Sequence, residues 1–133
     1  MPDLFVYGTL RFPEVLDALL GRVPELAPAR AEGWRVAALH GRVYPGLVAA
    51  ADGVADGLLI RGLSVEESEL LHAYEDVDYD VVELRLDGGG LALAYRWKGE
   101  VLDEDWDLEW FTREILARYV PGCVEWRAEY RAG

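Results

Sequence analysis

From Leu4 to Leu10 the chain reads Leu-Phe-Val-Tyr-Gly-Thr-Leu, an apolar, β-branched and aromatic run broken by a glycine, which predicts a strand opening into a loop at Gly8. A helix follows. Pro13 suits its first turn, Val15, Leu16, Leu19 and Leu20 fall on one face, and Gly21 is placed to end it in the left-handed conformation. Residues 22–32, with Pro24, Pro28 and several small residues, read as a connector, and Trp34 to Leu39 as a strand. Tyr44-Pro45-Gly46-Leu47 is a turn signal, and Val54 to Leu63 predicts another strand with Gly57 as a candidate bulge.

Ser64-Val65-Glu66-Glu67 has the form of a capping box, so a second helix begins there, with Leu70, Leu71 and Tyr74 as its buried stripe and Glu75 at its end. Tyr79 to Leu86 and Leu91 to Trp97 flank Asp87-Gly88-Gly89-Gly90 and predict a hairpin. Trp106, Trp110, Phe111, Ile115, Leu116 and Tyr119 recur at helical spacing until Pro121-Gly122, read as a stop. The order β, α, β, β, α, β, β, α is not strict alternation. It predicts an α+β class with a mixed sheet rather than a doubly wound parallel fold.

The 133 residues suit one domain, residues 1–133, with the aromatic helix and tail from about residue 103 packed upon it. Hydrophobic residues at 52% and charged residues at 29% supply an ordinary folded interior. A formal charge of −12 repels phosphate backbones and anionic lipid surfaces, so neither nucleic acid nor membrane is expected as a partner. No apolar run approaches the roughly 18 residues of a membrane span, the N-terminus lacks a basic start, and Cys123 has no partner cysteine; a cytoplasmic location is the expectation.

The inventory of reactive side chains is short. The chain has no Asn or Gln, and its only serines, threonines and histidines are Ser64, Ser68, Thr9, Thr112, His40 and His72. The histidines and Cys123 share no paired metal-ligand spacing, so no metal site is expected. Gly88-Gly89-Gly90 fits neither phosphate-binding glycine pattern, and no nucleophile elbow is present. Cys123 reads as a small buried residue.

Two segments remain. A glycine loop at Tyr7-Gly8-Thr9-Leu10 can turn several N–H donors toward one carboxylate or oxyanion; the plain alternative is an ordinary strand end. Glu75, just beyond an apolar helix face, can be turned inward and tuned for proton transfer; the plain alternative is a solvated glutamate among 25 acids.

In this order and spacing, Val6-Tyr7-Gly8-Thr9-Leu10, Tyr44-Pro45-Gly46-Leu47, Gly57-Leu58, Leu71-His72-Ala73-Tyr74-Glu75 and Tyr79 resemble the motifs of the gamma-glutamylcyclotransferase-like superfamily, over about residues 3–98. The resemblance implies a small mixed β-barrel flanked by helices. It also implies a reaction without cofactor, in which a small-molecule γ-glutamyl amide releases its amine and closes to 5-oxoproline. Glu75 is then the proton-transfer residue, Tyr7, Gly8, Thr9 and Leu10 the substrate cradle, and Tyr44, Gly46 and Tyr79 further substrate-binding residues. The chain departs from the motif at His72, where an acid is usual, at Asp76, where a glycine is usual, and at Asp80, where a base is common. The added acids predict a preference for γ-glutamyl conjugates of cationic amines. A competing expectation is a catalytically silent binding or interaction module, in which Trp106, Trp110, Phe111, Trp126 and Tyr130 cover the pocket or pair two subunits as a homodimer.

Overall fold

β1 (Leu4–Val6) is three residues long and entirely buried, because it is the central strand of a five-stranded sheet ordered β2-β3-β1-β5-β4. The computed structural model describes residues 3–75 and 77–130. After β1 the chain makes a 3-10 turn (Thr9–Arg11), α1 (Pro13–Leu20), β2 (Glu25–Ala37), β3 (Gly46–Arg61), α2 (Val65–Tyr74), β4 (Tyr79–Arg85) and β5 (Leu91–Trp97). A continuous helical segment follows as α3 (Leu108–Trp110), a π-helical stretch (Phe111–Ile115) and α4 (Leu116–Glu129). Gly21 ends α1 at φ 77°, as the sequence predicts.

β1 pairs antiparallel with β3, Leu4 opposite Ile60 and Val6 opposite Leu58, and parallel with β5, Leu4 opposite Leu93. Alternate residues of β1 serve two cores. Leu4 and Val6 pack with Val15, Leu16 and Leu19 of α1, Leu70 and Leu71 of α2, and Phe111, Ile115 and Cys123. Phe5 and Tyr7 point the other way, toward Leu47, Ala55, Leu59, Leu84 and Ala94 inside the curl of the sheet.

That curl comes from the β2–β3 ribbon. Its register shifts between Glu32 and Trp34, where Gly33 has φ 86°, and beyond the shift Leu47 pairs parallel with Arg96 of β5. The other half of β3 is antiparallel to β1, which itself is parallel to β5, so the ribbon folds back over the sheet. The two edge strands come near one another at the hairpin, where the Asp87 N–H donates to the Arg30 carbonyl at 2.8 Å. No ladder joins β2 to β4 among the described residues, so the expected barrel is an open, curled sheet.

Three local expectations are corrected. Residues 25–32 are strand, not connector: β2 is an edge strand, where Pro28 can lie opposite Leu58 without removing a donor that an outer neighbour needs. Gly57 sits in regular register opposite Ala29, and its role is close approach, since a Cβ there would stand 2.3 Å from the Val6 carbonyl oxygen. Pro121 does not stop the helix. It lies on the exposed side of α4, while Cys123 is buried and Trp126 and Tyr130 pack on the core beyond it. A helix-interior proline costs about 3 kcal/mol, which the burial of such side chains, each worth roughly 1.5–3 kcal/mol, offsets. Arg127 Nε also donates to the Leu19 carbonyl at 3.1 Å, tying α4 to α1.

Candidate active site

α2 is started by its cap and ended by Glu75. Ser64 Oγ accepts from the Glu67 N–H at 3.1 Å, and Glu67 Oε1 accepts from the Ser64 N–H at 2.9 Å. Arg22 grips the same carboxylate through two nitrogens, at 2.7 and 2.6 Å, and its hydrogen bonds hold the Glu67 carboxyl below the usual carboxylate range. Glu75 then caps the C-terminus in extended conformation, its N–H donating to the Leu71 carbonyl at 3.2 Å. Its half-buried side chain enters a cavity of about 240 Å³.

The end of β1 lines the same cavity. Tyr7, Gly8, Thr9 and Leu10 line the cavity with Phe5 and Val6. The 3-10 turn is closed by the Arg11 N–H donating to the Gly8 carbonyl, and the N–H groups of Gly8, Thr9 and Leu10 take part in none of the turn, loop and cap hydrogen bonds among the described residues. Tyr44 and Pro45 line it as well. The Pro45 ring sits on Gly8, where an added Cβ would stand 2.7 Å from Pro45 Cγ, so two of the sequence segments touch.

Six of the chain's seven tyrosines line this one cavity: Tyr7, Tyr44, Tyr74, Tyr79, Tyr95 and Tyr119. The Tyr7 hydroxyl donates to the Tyr95 carbonyl at 2.5 Å and accepts from the Leu47 N–H, and Tyr79 donates to the Pro45 carbonyl. The Tyr74 and Tyr119 hydroxyls are 2.7 Å apart, Tyr119 also bonds Thr9, and Cys123 Sγ lies 3.4 Å from Tyr74. Burial raises the phenols of Tyr7, Tyr79, Tyr95 and Tyr119, and the charge of Glu75 raises them further. They are therefore neutral walls and hydrogen-bonding groups rather than acids. Among the described lining residues Glu75 is the one acid, and none is Lys, Arg or His.

Of the residues singled out from sequence, all but Gly46 line the cavity. Gly46 instead admits Trp97, whose Cβ would lie 2.6 Å from a Cβ at that position. Sequence reading missed Tyr74, Tyr95 and Tyr119 as site residues, having counted Tyr74 and Tyr119 as core. The available signal was the excess of seven tyrosines over three phenylalanines in a chain poor in other hydroxyls. The acids near Glu75 are also engaged: Asp80 accepts from Arg96 at 3.1 and 2.7 Å, and Asp78 lies 3.8 Å from Arg42. Asp76 is outside the described residues, and His72 is exposed, 6.1 Å from the Tyr95 ring centroid. Of the two acids behind the expected preference for cationic amines, Asp80 is thus paired with Arg96 and Asp76 lies outside the described residues.

In the aromatic C-terminal segment Phe111 is buried, Trp106, Trp126 and Tyr130 are partly buried, and Trp110 is exposed. Trp106 Nε1 donates to the Val43 carbonyl at 2.8 Å, Phe111 is buried, and Trp126 meets the Tyr74 ring edge-on at 5.1 Å. No helix among the described residues is long and apolar enough to cross a membrane.

Residues 4–110 match the sequence profile described as gamma-glutamyl cyclotransferase, AIG2-like. The chain belongs to this family. AIG2-like protein C of Arabidopsis thaliana is 38% identical over 115 residues, which cover 80% of this chain and 67% of that protein. AIG2-like protein D of the same plant is 34% identical over 80 residues, 60% of this chain and 53% of the relative. Among solved structures, an Arabidopsis thaliana protein determined in solution superposes with a TM-score of 0.70 at 28% identity, covering 91% of this chain and 87% of that one. A gamma-glutamyl cyclotransferase superposes with a TM-score of 0.56 at 9% identity over 92% of this chain and 85% of that chain, a likeness of fold. The AIG2-like match includes every site residue singled out from sequence; Tyr119 lies beyond it.

Proposed function

We propose that the chain is a γ-glutamyl cyclotransferase, releasing an amine and 5-oxoproline from a γ-glutamyl amide. The observation that carries the reading is that the Glu75 carboxylate and an N–H-lined glycine turn line one cavity, among whose described lining residues none is cationic. Such a site complements a ligand that brings its own ammonium and its own carboxylate or carbonyl oxygen. The α-amine and γ-carbonyl of a γ-glutamyl amide are in one molecule, so ring closure needs no protein nucleophile and no cofactor; it gains from holding the folded conformer. Glu75 accepts the proton that the ammonium loses as nitrogen attacks the γ-carbonyl carbon, and returns it to the departing amine as the C–N amide bond breaks. The Gly8, Thr9 and Leu10 N–H groups hold the oxygen that becomes negative. Tyr7, Tyr44 and Tyr79 wall the cradle, and Gly46 contributes by seating Trp97.

Glu75→Gln keeps the shape and removes the base. With γ-glutamyl dipeptides and γ-glutamyl amines as substrates and 5-oxoproline as the measured product, kcat is expected to fall roughly 10²–10⁴-fold with little change in KM. Turnover by Glu75→Gln at the unaltered rate overturns the assignment. Binding without any 5-oxoproline formation by the unaltered chain selects the silent-module reading instead.

A further inference from the structure

One face of α4 is fixed on Tyr74. Tyr119, Cys123 and Trp126 are spaced by four and then three residues, so they share a side of the helix. All three meet Tyr74: the Tyr119 hydroxyl at 2.7 Å, Cys123 Sγ at 3.4 Å, and the Trp126 ring edge-on at 5.1 Å. Tyr74 is the last residue of α2, and Glu75 follows it directly. Through the same hydroxyl Tyr119 reaches the glycine turn, since it also bonds the side chain of Thr9. Tyr74, Tyr119 and Thr9 all line the cavity.

The turn needs such a hold. A three-residue 3-10 turn has poor hydrogen-bond geometry, and here the bond from the Phe12 N–H to the Thr9 carbonyl is 3.4 Å long. Thr9 is also the one Ser, Thr or charged residue that is buried among the described residues, and no buried side-chain oxygen or nitrogen among them lacks a partner. A buried hydroxyl is costly to leave unbonded, so the bond to Tyr119 restrains Thr9 where the backbone of the turn does so weakly.

We propose that Tyr119 is a positioning residue: its hydroxyl ties Thr9 to Tyr74 and so holds the Gly8, Thr9 and Leu10 N–H groups at a set distance from the Glu75 carboxylate. The inference rests on the cyclotransferase reading for the reaction that this alignment serves. Both points that are tied lie within residues 4–110, whereas the tie itself comes from α4, beyond them.

The test removes the hydroxyl and keeps the ring. In Tyr119→Phe, kcat for 5-oxoproline release from γ-glutamyl-alanine is expected to fall about tenfold with KM within about twofold, because the N–H groups act on the oxygen chiefly as it becomes negative. Thr9→Val removes the same bond from its other end and is expected to show the same loss. The double variant is then no slower than either single one, since both changes break one interaction. Independently of turnover, NMR order parameters of the Gly8, Thr9 and Leu10 amides are expected to drop from about 0.85 to below about 0.6 in Tyr119→Phe, with Phe5 unchanged. Should Tyr119→Phe fail to fold by circular dichroism, Thr9→Val supplies both readouts. Losses that add in the double variant overturn the route through Thr9. A turn that stays rigid without the hydroxyl, or an unaltered kcat, overturns the positioning role. If the unaltered chain forms no 5-oxoproline, the cyclotransferase reading fails, and the tie stands or falls on the order parameters.

Discussion

Gly8 is the residue on which the site closes. A methyl group there would stand 2.7 and 2.8 Å from Pro45 Cγ and Cδ, and Pro45 is itself fully buried, so neither side has room to move. Gly8→Ala is expected to cost about 1–3 kcal/mol in urea denaturation, the usual range for overpacking, and to raise KM as Pro45 is pushed away from the turn. An unchanged KM with full stability would mean that the contact between the two segments is unimportant. At this scale much of the site was legible, since Tyr7, Gly8, Thr9, Leu10, Tyr44, Glu75 and Tyr79 sit in recognisable segments and line one cavity. Tyr74 and Tyr119 were not, for a physical reason: each falls on an apolar helical stripe and packs against the core, while also lining the cavity.

Among the elements, α2 determines where Glu75 stands, and its N-terminus is the point of control. The Glu67 carboxyl is held below its usual range in the folded chain by Arg22 and by the cap. Protonation therefore favours the unfolded chain, and the stabilisation is complete above the unfolded glutamate value of roughly 4.3 and lost as pH falls through the lower folded value. Glu67→Gln should lower stability at pH 7 and flatten its decline on acidification, as read from urea midpoints at pH 7 and pH 3; an unaltered acid slope would argue against it. α1, α2 and the β4–β5 hairpin were legible because their signals are local: a cap, a left-handed glycine, a run of glycines between strands. β2 and α4 were not. The proline in β2 is harmless only because the strand turns out to be an edge, and the helix passes Pro121 only because Cys123 and Trp126 find partners in α1, α2 and β1 residues distant in sequence.

For the whole molecule, the family match ends at residue 110 but the core does not. Phe111, Ile115, Leu116 and Cys123 are buried against the helical face, and Tyr119 reaches the cavity. A chain cut after Trp110 is expected to lose its cooperative thermal transition by circular dichroism; a sharp transition in the shortened chain would show that the remainder suffices. The central position of β1 has one more consequence, which concerns synthesis on the ribosome. Leu4–Val6 leaves the ribosome before β3 and β5, the neighbours between which it lies, and the Tyr7 hydroxyl bonds a carbonyl 88 residues downstream. At about 5–20 residues per second, that partner arrives on the order of ten seconds later. Until then this apolar strand lacks its second neighbour, so the nascent chain carries an unpaired, sticky segment that suits a holding chaperone.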